Sequence, residues 1–232
     1  MQNKIVFLDA LSLGECDIQS QLEAFGVYVG YPVTNYNQVI ERCKGANIIL
    51  SNKVVLDRAV LDALKDDLKL VCITATGMNN VDLEAAKELG IIVKNVAGYS
   101  TKSVAQHTLM MALSLCSKIA FYDSYVKNGE YARNPLFTDL SLPLELLEGK
   151  RWGIIGLGSI GKEVARLASA FGAEICFYST SGKNTHSTYL SLSLEELLQT
   201  SFVLSIHAPL NDLTSNLIHA KNLCLLQDNS IL

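Results

Sequence analysis

The sequence predicts an α/β chain built as two doubly wound parallel sheets in succession, the second incomplete. Short apolar runs alternate with amphipathic helical patterns through the first hundred residues. A second strand–helix series begins near residue 151, and its first turn, "GIIGLGSIG", is rich in glycine. No fixed-period repeat and no low-complexity tract interrupts this order.

Residues 5–8, 27–29, 48–50, 68–73 and 91–93 are brief apolar runs suited to strands buried on both faces. Asp57 can cap a helix carrying Val60, Leu61 and Leu64, and Asp82 opens another that Gly90 stops. A long helix is expected over 101–127. Leu109, Leu113, Cys116 and Ala120 share one face, and Met110 and Met111 widen the apolar surface, which suits a domain junction or a dimer interface. Residues 128–149, with Gly129, Pro135, Pro143 and Gly149, read as a connection. Beyond it come a strand over 151–155, a helix over 160–171 with Val164, Leu167, Ala168 and Phe171 on one face, and a strand over 174–178. "LSLEELL" starts a helix with Ser193 as N-cap and Glu196 reaching back to it. A strand over 202–206 and a short helix over 220–226 follow, and "NSIL" opens another strand.

Composition narrows the function classes. Of 232 residues, 49% are hydrophobic and 18% charged, enough apolar material for a substantial core. Net charge is −4, and no segment is dense in Lys or Arg, so neither nucleic acid nor an anionic membrane is an expected partner. Uninterrupted apolar runs such as 109–113 fall far short of the roughly 18 residues of a membrane span. The opening "MQNKIVFLDA" meets Asp9 too soon for a secretory signal and reads as a first strand. Six cysteines without a CxxC pair suit reduced core positions in a cytoplasmic protein. With no HxxxH spacing and no Cys/His/carboxylate cluster, no metal site is expected.

Gly156, Gly158 and Gly161 stand in G-x-G-x-x-G spacing between an expected strand and an expected helix. The first permits the tight turn, the second lets a pyrophosphate approach the backbone, and the third lets the helix pack close to the strand. Amides near Ser159 and Ile160, with the positive end of the helix dipole, then face the anion. The acid that usually follows the next strand, to bind the ribose hydroxyls, is absent. Ser179 stands in its place, and no Asp or Glu occurs between residues 175 and 194. Ser179, Thr180 and Ser181 can donate to a 2′-phosphate and Lys183 can add charge, so NAD and NADP both remain open, with a lean to NADP.

At this point the sequence resembles the D-isomer-specific 2-hydroxyacid dehydrogenases, of the bacterial glycerate dehydrogenase and hydroxypyruvate reductase type. The matching stretches are "TATGMNNVDLEAAKELGIIVKNVAGYSTKSVAQHT", "LEGKRWGIIGLGSIG", "FYSTSGKN" and "SIHAPLNDLTSNLI", in family order along essentially the whole chain. The resemblance implies a flavodoxin-like substrate-binding domain over 1–100, a Rossmann NAD(P)-binding domain over 101–232, and an active site in the cleft between them. It implies that the amides near Thr76 and Gly77 hold a substrate carboxylate, with Asn52, Lys53 and Ser100 close by. On the cofactor side it implies Ser159 and Ile160 at the pyrophosphate, and His207, Ala208, Pro209 and Thr214 beside the adenosine. Phe202 stands where relatives often carry an acid.

Reduction of a 2-keto acid needs a cation to polarise the keto oxygen, a proton donor, and a carboxylate that tunes the donor. In the family these are an Arg, a His and a Glu. The resemblance puts all three beyond Leu232, so the chain is expected to be C-terminally truncated and the 232-residue form inactive. His207 belongs by motif to the cofactor loop, His107 to a helix start at the domain boundary, and His186 and His219 to exposed positions. The expected activity is hydride transfer between NAD(P)H and a small 2-keto or 2-hydroxy acid: hydroxypyruvate/D-glycerate or glyoxylate, by a homodimer when complete. The alternative is a non-catalytic protein on the same scaffold that binds the cofactor and senses it. A short-chain dehydrogenase is disfavoured because its Tyr-x-x-x-Lys pair is missing.

Overall fold

The computed structural model describes residues 2–182 and 188–232, which leaves Lys183 and His186 outside the described residues. The chain forms two compact units, Met1–Tyr99 and Ser100–Leu232.

The first unit contains five parallel strands, β1 (Asn3–Phe7), β2 (Gly26–Gly30), β3 (Ile48–Ser51), β4 (Leu70–Ile73) and β5 (Ile92–Asn95), in the order β2-β1-β3-β4-β5. The chain runs from β1 outward to β2, then crosses to the other side of β1, so the sheet is doubly wound. Helices α1 (Gln19–Leu22), α2 (Val39–Cys43), α3 (Arg58–Leu64) and α4 (Leu83–Glu88) connect the strands. Asp57 and Asp82 cap α3 and α4, accepting from the amides of Val60 and Ala85, and Gly90 adopts φ +71° just past α4. One face of the sheet buries Val6, Leu8, Ile49 and Val71 against Val60, Leu61, Ala85 and Ala86 of the helices. The other buries Ile5, Phe7 and Leu50.

The second unit opens with α5 (Thr101–Cys116), α6 (Ile119–Lys127) and α7 (Glu130–Arg133). Here the structure corrects the expected continuous helix over 101–127. The helix breaks at Ser117 and Lys118, and α5 and α6 meet at a 61° bend. Lys118 takes the left-handed conformation, φ 52°, and the amide of Glu145 bonds the Cys116 carbonyl, so the helix end finds its partner outside the helix. The Tyr122 hydroxyl then donates to the Leu142 carbonyl, tying α6 to the same returning segment.

A four-stranded parallel sheet follows: β6 (Arg151–Ile155), β7 (Glu174–Tyr178), β8 (Leu190–Ser191) and β9 (Val203–Ile206), in the order β8-β7-β6-β9. Ile231 forms an isolated parallel bridge to Val203, so of the strand expected from "NSIL" a single residue pairs beside β9 and Asn229 lies in a turn. Helix α8 (Ser159–Ala170) lies on one face. Its Val164, Ala165 and Ala168 pack in one cluster with Ala105, Ala112 and Cys116, small side chains that allow α5 to come close. Phe171, expected on the buried face, is the half-exposed C-cap residue instead. Helix α9 (Leu194–Thr200), closed at its start by the Ser193–Glu196 capping box, buries Leu197 and Leu198 on the opposite face. The short α10 (Ala220–Leu223) lies near the end of the chain.

Trp152, the single tryptophan, is fully buried in β6, and its indole N–H donates to Ser205 Oγ at 2.9 Å. Ser205→Ala leaves that donor without a partner and is expected to destabilise the second unit by about 1–3 kcal/mol. Urea unfolding followed by Trp152 fluorescence measures it; a shift well under 1 kcal/mol on that scale contradicts the role given to the bond.

Candidate functional site

Ligands of doubly wound sheets bind beyond the carboxyl ends of the strands, where the strand order reverses. In the second unit that point lies between β6 and β9, and three sequence-predicted groups of residues gather around it. Gly156 ends β6 with φ +90°. A Cβ on it would lie 2.9 Å from the Ala208 nitrogen and 3.0 Å from the His207 carbonyl carbon, so the loop after β9 rests directly on this glycine. Its amide donates to the Tyr178 carbonyl at 3.0 Å, which ties in the end of β7. A Cβ on Gly161 would collide with the Gly156 carbonyl oxygen and sit 3.1 Å from Ile154 Cγ2. Gly161 therefore lets α8 begin hard against β6, and Gly156 lets the loop after β9 rest on the same turn.

Gly158 differs. Its φ of −79° is open to any residue, and among the described residues nothing lies within 4 Å of the position a Cβ would take. The protein's own atoms give no reason for glycine there; the close approach of a ligand does. Gly158 is the N-cap of α8 and has no side chain to cap it. The Lys162 amide makes the first intrahelical bond, to the Gly158 carbonyl, so the amides of Ser159, Ile160 and Gly161 have no intrahelical acceptor. The first turn carries no acidic residue to compete with an anion.

Three buried side-chain polar atoms among the described residues have no hydrogen-bond partner: Ser179 Oγ, His207 Nε2 and Asn52 Oδ1. Each belongs to a residue that the sequence singles out. Folded proteins satisfy nearly all such atoms, and the exceptions call for an explanation. Ser179 follows β7, and His207 follows β9 with its amide bonded to the Ile155 carbonyl at 2.8 Å. Burial pushes the His207 imidazole below its ordinary value, which keeps it uncharged at neutral pH. Thr180 and Ala208 are half-buried and Pro209 is exposed. The Thr214 hydroxyl is used within its own loop: it donates to the Pro209 carbonyl and accepts from the Asn211 amide at 2.9 Å. Thr214 therefore shapes the loop. Among the described residues, helix amides without a partner, the open space over Gly158 and two unpartnered polar atoms together fit a dinucleotide.

The first unit has its own edge. The loop after β4 is held by the Thr74 amide on the Ser51 carbonyl and by Asn95 Nδ2 on the Thr76 carbonyl at 2.6 Å. Thr76 and Gly77 are exposed, and their amides meet no acceptor among the described residues. After β3, the amides of Asn52 and Lys53 turn to the buried Asp9 carboxylate and that of Val54 to Ser51 Oγ at 3.0 Å. Any ligand contact from Asn52 or Lys53 must then come from its side chain, and Lys53 is exposed. Sequence reasoning read Asp9 only as the end of an apolar run; its place directly after a strand of a parallel sheet was the available signal. Ser100 lies in the second unit as the N-cap residue of α5, with no side-chain cap bond. His107, expected to pack or bond near the domain boundary, is exposed on α5 and its side chain makes no hydrogen bond among the described residues, and His219 is exposed at the start of α10.

Comparison with known proteins adds a family. The model described as the D-isomer specific 2-hydroxyacid dehydrogenase NAD binding domain matches residues 109–232. A putative 2-hydroxyacid dehydrogenase of Haemophilus influenzae is 34% identical over 229 residues, covering 99% of this chain and 72% of that one. A hydroxypyruvate reductase of Blautia hydrogenotrophica is 33% identical over 237 residues, covering 99% and 73%. Among solved structures, the TT0316 protein of Thermus thermophilus superposes with a TM-score of 0.84 at 27% identity, over 97% of this chain and 70% of that one.

The glycines make a paired test. Gly158→Ala is expected to fold with unchanged stability yet bind NADH about tenfold more weakly or worse, whereas Gly161→Ala is expected to lower the unfolding midpoint as well. Thermal unfolding and cofactor titration of both variants measure this. Equal cofactor affinity in Gly158→Ala and the wild type contradicts the reading of that open space.

Proposed function

The chain belongs to the D-isomer specific 2-hydroxyacid dehydrogenase family, and within it we propose an NAD(P)-dependent oxidoreductase acting on a small 2-keto or 2-hydroxy acid, with hydroxypyruvate/D-glycerate or glyoxylate as the substrate. Residues 109–232 match that family's NAD-binding domain. The observation that carries the reading is the edge of the second sheet, where free α8 amides, an unfilled approach over Gly158 and two unpartnered buried atoms meet.

The residues divide the work as follows. The Ser159 and Ile160 amides hold the diphosphate, helped by the positive end of α8, and Gly158 admits it. Ser179 and Thr180, with Lys183 outside the described residues, meet the adenosine ribose. His207, Ala208 and Pro209 line the adenosine, and Thr214 keeps their loop in shape. When bound, the nicotinamide supplies or takes up the hydride. The Thr76 and Gly77 amides hold the substrate carboxylate, with the Asn52 side chain and the Lys53 ammonium beside it. The Arg, Glu and His of the reaction are assigned to no residue of 1–232; Asn52, Lys53 and the loop amides bind and orient only. The proposal includes a homodimer, supported by the half-exposed Met110, Met111 and Leu115 of α5 and Ile119 of α6, and a cytoplasmic location, supported by six free cysteines.

NADPH is the favoured cofactor, because Ser179 stands where an acid would repel a 2′-phosphate. Titration with NADPH and NADH, read by fluorescence, tests both layers. The wild type is expected to bind NADPH at least as tightly as NADH, and Ser179→Asp to weaken NADPH about tenfold while sparing NADH. An unchanged preference removes Ser179 from cofactor selection, and binding of neither cofactor overturns the function. With either cofactor, residues 1–232 alone are expected to turn over no hydroxypyruvate; sustained turnover would place the missing catalytic groups within this chain.

A further inference from the structure

We propose that Asp9 is a positioning residue: its buried carboxylate holds the 51–54 loop in the form that presents Asn52 and Lys53 to a 2-keto acid carboxylate. This rests on the function proposed above and adds a residue that neither the motifs nor the family resemblance assigns. Asp9 is the single charged side chain buried among the described residues, with 8% of its surface exposed. It makes no ion pair among them. Instead it takes the Asn52 amide on both oxygens, at 2.9 and 3.1 Å, and the Lys53 amide at 2.7 Å.

A loop can be tied down by a neutral Ser, Thr or Asn, as Ser51 does here for Val54. A buried carboxylate is a costlier tie and needs another reason. Its two oxygens capture two successive amides with charge-assisted bonds, which fixes the loop more tightly than one neutral acceptor could. The grip has a local cost, because it holds Asn52 where the side-chain Oδ1 is buried without a donor. A buried unpaired charge and an unsatisfied amide oxygen on adjacent turns suit a preorganised binding loop better than a purely structural one. The placement agrees: Asp9 follows β1, Asn52 and Lys53 follow β3, and Thr76 and Gly77 follow β4, at the carboxyl ends of three neighbouring central strands.

The test uses amide NMR of the 232-residue chain with saturating NADPH, titrated with oxamate, a non-reducible mimic of a 2-keto acid. In the wild type the Asn52, Lys53, Thr76 and Gly77 amides are expected to shift on oxamate addition. Asp9→Asn keeps the shape but sets an amide N–H against one of the two backbone donors. It is expected to weaken oxamate about tenfold or more and to speed hydrogen exchange at Asn52 and Lys53, while the core amides of Ile49 and Val71 keep their protection. Asp9→Glu retains the charge and is expected to recover part of the affinity. If Asp9→Asn does not fold, Asp9→Glu carries the test against the wild type, with a loss of about threefold or more expected from the displaced carboxylate. Oxamate affinity within about twofold of wild type, in a variant whose Asn52 and Lys53 exchange has quickened, overturns the positioning role. Wild-type chain that binds NADPH but gives no oxamate shifts overturns the substrate reading and Asp9's role with it.

Discussion

Two missing side chains hold the cofactor unit together. Because Gly161 has no Cβ, the start of α8 can rest on the Gly156 carbonyl, and because Gly156 has none, the His207–Ala208 backbone can rest on the same turn. These contacts bring the ends of β6 and β9 and the N-terminus of α8 within one ligand's reach. The Gly156 amide on the Tyr178 carbonyl adds the end of β7. Substituting either position by any other residue pushes backbone against backbone, where no side-chain rotation offers relief. The third glycine is free of that constraint, and the space beside it is open. Packing thus explains two glycines of the motif, and chemistry is left to explain the third.

The two units present amides beyond a parallel sheet by different means. In the second, a helix of 12 residues leaves its first amides without a side-chain cap at the positive end of its dipole, with no acidic side chain in its first turn. In the first, the helices are short, and the amides come from the loop at Thr76 and Gly77. The neighbouring loop is fixed by Asp9 and Ser51, which take up its amides and leave only its side chains available to a ligand. The negative charge of Asp9 stays buried beneath the loop, and the positive charge of Lys53 stays exposed upon it.

Much of this architecture could be read from residues. Valine- and isoleucine-rich runs at 5–8, 48–50 and 151–155 mark buried parallel strands, since such strands need apolar side chains on both faces. Asp57, Asp82 and Ser193 mark helix starts because their oxygens bond local amides, an interaction decided within four residues. The break at Lys118 was not legible: apolar periodicity runs through it, and the bond that ends α5 comes from Glu145, far along the chain. Nor was the two-residue strand β8, whose pairing to β7 depends on neighbours in space more than on Leu190 and Ser191 themselves. At the candidate site, motif spacing points to the glycines, Ser179 and His207, and the fold puts them just past the ends of β6, β7 and β9. Asp9 escaped because its partners, Asn52 and Lys53, stand more than forty residues away, and its place after a strand does not by itself say that the carboxylate is buried.

A crystal structure of the chain soaked with NADPH measures the central claim directly. The account places diphosphate oxygens about 2.7–3.2 Å from the amides of Ser159 and Ile160, with the space over Gly158 filled by the ligand. A diphosphate bound elsewhere, with those amides still facing solvent, would contradict it.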